Sequence, residues 1–129
     1  MSRSSNASRY GSLAERKAAD RYRLRREGVH TSWCDAIDKE GTPIEIKSTM
    51  VEHSDGQPGN FKLYRQYHER LVEESGRYVF VVYKPRGRGI TVLKMEMRHA
   101  TRLPMLRWHG GGEHRDSKQG KLAIEDVFA

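Results

Sequence analysis

Residues 33–48, "WCDAIDKEGTPIEIKS", decide how this chain is read. Two short runs with alternating apolar residues flank Lys39-Glu40-Gly41. As a three-residue hairpin loop, that tripeptide puts glycine at the left-handed position such loops need. Asp38 then pairs with Thr42, and counting back along both strands sets Asp35 opposite Glu45 and Trp33 opposite Lys47. Side chains alternate between faces of a strand, so Glu45 and Lys47 point one way while Ile44 and Ile46 enter the other layer. Two carboxylates and an ammonium therefore converge on one patch. Like charges directly opposite each other destabilise a sheet, and they persist when something binds between them. A hard divalent cation is the natural candidate, because Mg²⁺ takes one or two carboxylates together with substrate phosphate oxygens. Lys47 would then face the same phosphate or the attacking water, a layout for metal-assisted phosphodiester hydrolysis. The competing reading is a Glu-x-Lys pair on an exposed strand face, satisfied across the sheet.

The composition agrees with an anionic partner. The 129 residues carry 24 Lys and Arg against 17 Asp and Glu, a formal charge of +7. This balance favours nucleic acid or an acidic membrane surface. No apolar run is long enough to span a bilayer and no signal-peptide pattern is seen, so a soluble, intracellular protein is expected. Cys34 is the single cysteine, which leaves no intrachain disulfide framework and no cysteine-based zinc site. The length suits one domain, expected over 11–129. The Ser- and Arg-rich residues 1–10 read as a disordered tail.

Outward from the hairpin, "SLAERKAADRYRLRREG" (12–28) predicts a helix, with Ser12 and Glu15 as a capping box and Gly28 as its terminal glycine. Arg16, Lys17, Arg21, Arg23, Arg25 and Arg26 give it a dense basic surface. "FKLYRQYHERLVEESG" (61–76) predicts a second helix with Asn60 as N-cap, a stripe of Leu63, Tyr67 and Leu71, and Gly76 at its end. "YVFVVY" (78–83) has the continuous apolar run of a strand covered on both faces. The turn "KPRGRG" leads into a further strand, "ITVLKMEM". The order helix, hairpin, helix, strand, strand gives an α/β mixed sheet with helices packed on it.

The last thirty residues show no clear period. "KLAIEDVF" reads as a short closing helix or a strand. His109 and His114, around "GGGE", read as part of a flexible loop rather than a metal site. Trp108 is either an exposed wedge or stacking residue or a ring packed under that loop.

Together, "GSLAERKAADRY", "WCDAI", "IEIKS" and "FKLYRQYHERLVEESGRYVFVVYKP" resemble, in that order, the PD-(D/E)xK nuclease superfamily, and within it the archaeal-type Holliday junction resolvases. The resemblance runs from about Ser12 to Pro85 and implies a restriction-endonuclease-like mixed β-sheet flanked by helices. By position, Asp35 and Glu45 resemble the metal-binding carboxylates and Lys47 the catalytic lysine. Glu15 resembles the acidic residue contributed by the first helix, a role that coexists with its capping reading. Gln66, with Arg65 beside it, matches a polar residue of the second helix, and Ser32 a loop serine used in some resolvases. The "PD" half departs from the family pattern, reading Cys34-Asp35.

The resemblance implies a Mg²⁺-dependent endodeoxyribonuclease, with Mn²⁺ able to substitute, that cuts four-way junctions in DNA recombination and repair, and with it a cytoplasmic, DNA-associated protein with no membrane partner. Paired cuts imply a two-fold homodimer, with Val127, Phe128 and the Met95–Met97 strand as candidate contributors. Arg16, Lys17, Arg23, Ser32, Lys62 and Arg65 are the expected DNA contacts, with Arg86 and Arg88 as further phosphate candidates. Two other readings stand beside the resolvase: a restriction- or repair-type nuclease of the same superfamily, and a catalytically silent DNA-binding module.

Overall fold

Ala36 pairs with Ile44, and Ile37 with Pro43, in the antiparallel strands β1 (Ala36–Ile37) and β2 (Pro43–Met50) of a computed structural model of the protein. The structure describes residues 5–111 and 114–128, with side chains described for 9–110 and 118–128. The same register extends past the short β1. The Asp38 amide donates to the Thr42 carbonyl at 3.0 Å, and the Asp35 amide to the Ile44 carbonyl at 2.8 Å. Gly41 closes the three-residue loop at φ 84°, a conformation that costs a residue with a Cβ about 1 kcal/mol. The expected loop and register are thus observed. Trp33 lies ahead of β1, and instead of facing Lys47 its ring carries the Arg70 guanidinium 5.1 Å above its centroid.

The remaining elements are α1 (Ser5–Tyr22), β3 (Asn60–Tyr64), α2 (Arg65–Glu73), β4 (Arg77–Arg86), β5 (Gly89–His99), β6 (His109–Gly111), β7 (His114–Ala123) and α3 (Ile124–Val127). Strands β1-β2-β4-β5 form one mixed sheet, in which β2 and β4 run parallel. A parallel pair needs a crossover, and β3 with α2 supplies it. Strands β3-β7-β6 form a second, antiparallel sheet. The α/β class and mixed sheet expected from the element order are therefore present; the second sheet was not anticipated.

The large sheet is covered on both faces, as the "YVFVVY" run required. Ile44, Ile46, Val79 and Val81 meet Ala14 and Ala18 of α1, all of them buried. On the other face Tyr78, Phe80 and Val82 meet Phe61, Leu63 and Leu122 of the second sheet and Leu71 of α2. Phe61 and Phe80 contact edge to face at 4.9 Å between centroids, the geometry favoured by the quadrupoles of two rings.

Several expectations are corrected. Helix α1 starts at Ser5, so the boundary expected near residue 10 falls inside it; the first four residues of the expected tail lie outside the described residues. Ser12 is consequently an interior helix residue and forms no cap. The helix stops at Tyr22 rather than near Gly28, because Arg23 turns left-handed at φ 55° and the chain joins the hairpin edge. There Arg25 exchanges both backbone hydrogen bonds with Ile37, at 2.8 and 2.9 Å. Those bonds replace the helical ones lost beyond Tyr22.

The second predicted helix starts late, at Arg65. Asn60–Tyr64 is strand β3, with Phe61 and Leu63 buried and Asn60 and Lys62 exposed. That alternation is period two, and pairing with β7 overrides the helical stripe that Leu63 also fits. "KLAIEDVF" is divided: Lys121–Ala123 close β7 and Ile124–Val127 form α3. The expected loop is instead a hairpin of β6 and β7, with His109 in β6; the His114 side chain lies outside the described residues. Trp108 is the packed ring of the two alternatives, since a Cβ on Gly120 would sit 3.1 Å from it. Val127 is fully buried and unavailable to a partner, while Phe128, Met95 and Met97 pack partly against the core. Among the described residues no helix is long and apolar enough to cross a membrane.

Candidate active site

The hairpin gathers its charged groups where the large sheet meets the second one. Because Ile44 and Ile46 face α1, Glu45 between them faces the opposite layer and is only 8% exposed. It stands in register with Tyr78 of β4, and Lys47 with Phe80. Lys47 Nζ lies 3.5 Å from Glu45 Oε2 and 5.6 Å from the centroid of the Tyr64 ring. Tyr64 closes β3 and precedes α2, so the crossover itself holds the ammonium in place. Asp35 is half-buried, and one of its oxygens, Oδ2, accepts the Ile46 amide at 2.8 Å, which fixes the carboxylate against β2.

This arrangement is electrostatically uncomfortable as it stands. Burial pushes the Glu45 carboxyl up to about 9, the adjacent Asp35 carboxyl pushes it the same way, and Lys47 only partly opposes them. Glu45 Oε1 is a buried oxygen without a hydrogen-bond partner among the described residues. Such an atom in a native fold calls for a ligand, a proton or a catalytic purpose. The Tyr78 hydroxyl is raised by burial and by the Glu45 charge, and it shares a 2.8 Å hydrogen bond with His68 Nδ1. Burial in turn lowers the His68 imidazole.

Glu15 approaches from α1. Burial raises its carboxyl, the Asp35 charge raises it further, and the Arg26 guanidinium at 3.3 Å pulls it back. Asp35, Glu45, Lys47 and Glu15 are thus brought into one electrostatic neighbourhood from three segments of chain. Gln66 is exposed in the first turn of α2, two residues beyond Tyr64. Arg65, beside it, is paired with Glu69 at 3.1 Å.

The expected DNA contacts divide into two groups. Arg16 lines a groove of about 620 Å³ with Leu24, Arg25 and Arg26, while Lys17 and Arg23 are exposed nearby on and after α1. Ser32 is exposed in the bend before Trp33. Lys62 lies on the other side, in a cleft of about 630 Å³ that also takes Lys47, Asn60, Tyr64 and Lys121. Arg86 and Arg88 are exposed at the β4–β5 turn. Sequence reasoning put Tyr64 on the widened apolar stripe of a helix and did not single out Lys121. A helical reading of 61–76 hides Tyr64, and Lys121 becomes visible only once β7 is recognised as the partner of β3.

The donor set can be tested against a divalent cation. Glu45 offers an orphaned buried oxygen, Asp35 a pinned carboxylate opposite, and both are hard oxygen donors of the kind Mg²⁺ selects. Among the described residues no group of three or more His, Cys, Asp or Glu side chains forms a ready-made cage. An ion here would complete its shell with water and substrate oxygens, as Mg²⁺ commonly does. The residues fit.

A family model described as the PD-(D/E)XK nuclease superfamily domain matches residues 1–129. No curated protein and no solved structure matches the chain.

Proposed function

We propose, from the premise that this chain belongs to the PD-(D/E)XK nuclease superfamily, that it is a Mg²⁺-dependent endonuclease acting on branched DNA, with the four-way junction as its leading substrate. The nuclease domain and its dependence on a divalent metal follow from the family; Mg²⁺, the junction and the residue roles are the proposal. The observation that carries the site is the buried, unpartnered Glu45 oxygen beside Asp35, with Lys47 at 3.5 Å from the other oxygen of the same carboxyl. Asp35 and Glu45, with Glu15 within the reach of the Asp35 charge, would hold the metal against the scissile phosphate, and Mn²⁺ would substitute. When bound, the ion supplies Lewis-acid charge for the phosphate oxygens and a more acidic attacking water.

The chain's own residues do the rest. The Ile46 amide holds the Asp35 carboxylate against β2, on the strand that carries Glu45. Lys47, held between Glu45 and the Tyr64 ring, places an ammonium where a phosphate oxygen or the attacking water would lie. There it offsets developing negative charge in a site already positioned before substrate arrives. Gln66 would assist from α2. Arg16, Lys17, Arg23, Ser32, Lys62 and Arg65 would hold the flanking phosphates, which position DNA without reading its sequence.

A junction has two strands to cut symmetrically, so this reading carries a two-fold homodimer. A restriction- or repair-type nuclease would use the same residues on another DNA shape, and a silent binding module would keep the fold without cutting.

Incubating purified protein with a synthetic four-way junction and with matched linear duplex, with and without Mg²⁺, separates these readings. Paired symmetric nicks that require metal are expected on the junction. Lys47→Ala is expected to slow them by about 10²-fold while leaving junction affinity within a few-fold. Equal cutting of linear duplex would remove the junction assignment, and binding without cutting in either Mg²⁺ or Mn²⁺ would remove the enzyme.

A further inference from the structure

The outward face of the second sheet carries a feature the catalytic constellation does not use. In β3 and β7, Lys62 pairs directly with Lys121, and Tyr64 with Gln119. Phe61, Leu63 and Leu122 point to the core, so Lys62 and Lys121 share the opposite, solvent face, and both are exposed. Directly opposed residues of an antiparallel pair have Cβ atoms only about 5 Å apart, and two like charges there weaken the sheet. The cleft that holds both lysines contains Lys47, Asn60 and Tyr64 as well, but among the described residues no Asp or Glu lines it. Lys121 also lines a second cavity of about 540 Å³, with Arg107, His109 and Gln119. The basic surface therefore runs from Lys47, across the opposed lysines, to the β6 edge.

We propose that this face is a track for the phosphodiester backbone of one nucleic-acid strand, leading it from the scissile phosphate over Lys62 and Lys121 towards Arg107. The proposal rests on the nuclease reading for the direction of the strand. Charge complementarity supplies the partner: an opposed lysine pair in a cleft lined by no described carboxylate is relieved by bound phosphate. Lys121, Arg107 and His109 enter as positioning residues for the strand; none touches the reacting atoms.

The test is binding, read in EDTA so that no cutting occurs. Affinity for a labelled single-stranded oligonucleotide would be measured across a salt series for the wild-type chain, Lys62→Ala/Lys121→Ala and Lys62→Arg/Lys121→Arg. For two lost phosphate contacts on a single strand, the log–log salt slope should become shallower by about 1.4, with affinity falling roughly ten-fold at low salt. The arginine pair should restore both. Thermal melting should show the alanine pair at least as stable as wild type, because the like-charge opposition is gone.

An unchanged slope in the folded alanine pair would overturn the track. So would equal competition by millimolar inorganic phosphate with no dependence on oligonucleotide length, which would mean a phosphate-ion subsite only. Binding is read without metal, so failure here leaves the cleavage reading standing. Equally, absence of metal-dependent cutting leaves the track intact.

Discussion

Glu45→Gln should abolish metal-dependent cleavage and, at the same time, make the metal-free protein more stable at neutral and alkaline pH. The first effect follows from removing the charged donor. Loss of the several kcal/mol of charge stabilisation that a bound ion offers corresponds to about 10³-fold or more in rate. The second follows from the burial of the carboxyl. In the folded, metal-free chain its proton is held up to about 9, against an ordinary value of 4.5. Across that window the native state binds a proton that the unfolded chain has released, so stability falls as pH rises. The contribution of the protonated carboxyl is complete below about 4.5 and is lost as pH climbs through about 9.

The substituted glutamine amide is isosteric with the carboxyl and cannot ionise, so that slope should disappear and the variant should gain ~1–3 kcal/mol near pH 8. Urea unfolding of both forms at pH 5 and pH 8, with and without Mg²⁺, would measure it. Mg²⁺ should stabilise the wild type more at pH 8 than at pH 5, and the variant hardly at all. A variant less stable than wild type at pH 8 would mean that Glu45 is already satisfied in the absence of metal.

Gly59→Ala is expected to be the most damaging single-methyl change near the site. A Cβ at Gly59 would overlap the Met50 carbonyl oxygen and the Thr49 hydroxyl, and would press on the Met50 carbonyl carbon at 3.1 Å. Two of these atoms are backbone, which cannot rotate out of the way, so β2 and the approach to β3 must separate. The Gly59 amide also donates to the Val51 carbonyl at 3.2 Å, a bond the same shift would break. Overpacking of this kind costs about 1–3 kcal/mol, and more when backbone must move. Because Lys47 is held against Tyr64 across that junction, activity should fall further than the loss of folded protein explains. A melting curve beside a cleavage rate per folded molecule would show it; wild-type stability would mean the strands already have room to part.

The geometry of the candidate site was legible because it is local. Asp35, Glu45 and Lys47 lie within one hairpin, and Gly41 with a three-residue loop fixes their register. The arithmetic needs no long-range information. The apolar run 78–83 was legible for a similar reason, since burial on both faces leaves no alternation to misread. The second sheet was not legible because its pairing partner lies far along the chain. Asn60–Tyr64 satisfies both a helical stripe and a strand alternation, and only β7 decides between them. "HRDSKQGKLA" carries no Val, Ile, Thr, Phe, Tyr or Trp to announce a strand. The end of α1 was misplaced because an arginine, not a glycine, takes the left-handed turn.

The two sheets differ in how their strands must find one another. The hairpin of β1 and β2 closes a three-residue loop, whereas Lys62 must meet Lys121 across about sixty intervening residues. Loop closure over that distance comes late, after local pairs have formed. During synthesis, then, the hairpin carrying Asp35 and Glu45 is expected to form before the β3–β7 pair that brings Lys62 to Lys121. Tyr64, which steadies Lys47, sits on the strand that waits longest for its partner. A nascent chain would bring Asp35 and Glu45 face to face before the surface shared by β3 and β7 had formed. Pulse-labelled hydrogen exchange during refolding should find the Asp35 and Asp38 amides protected ahead of those in β3; simultaneous protection would mean the two sheets fold as one unit.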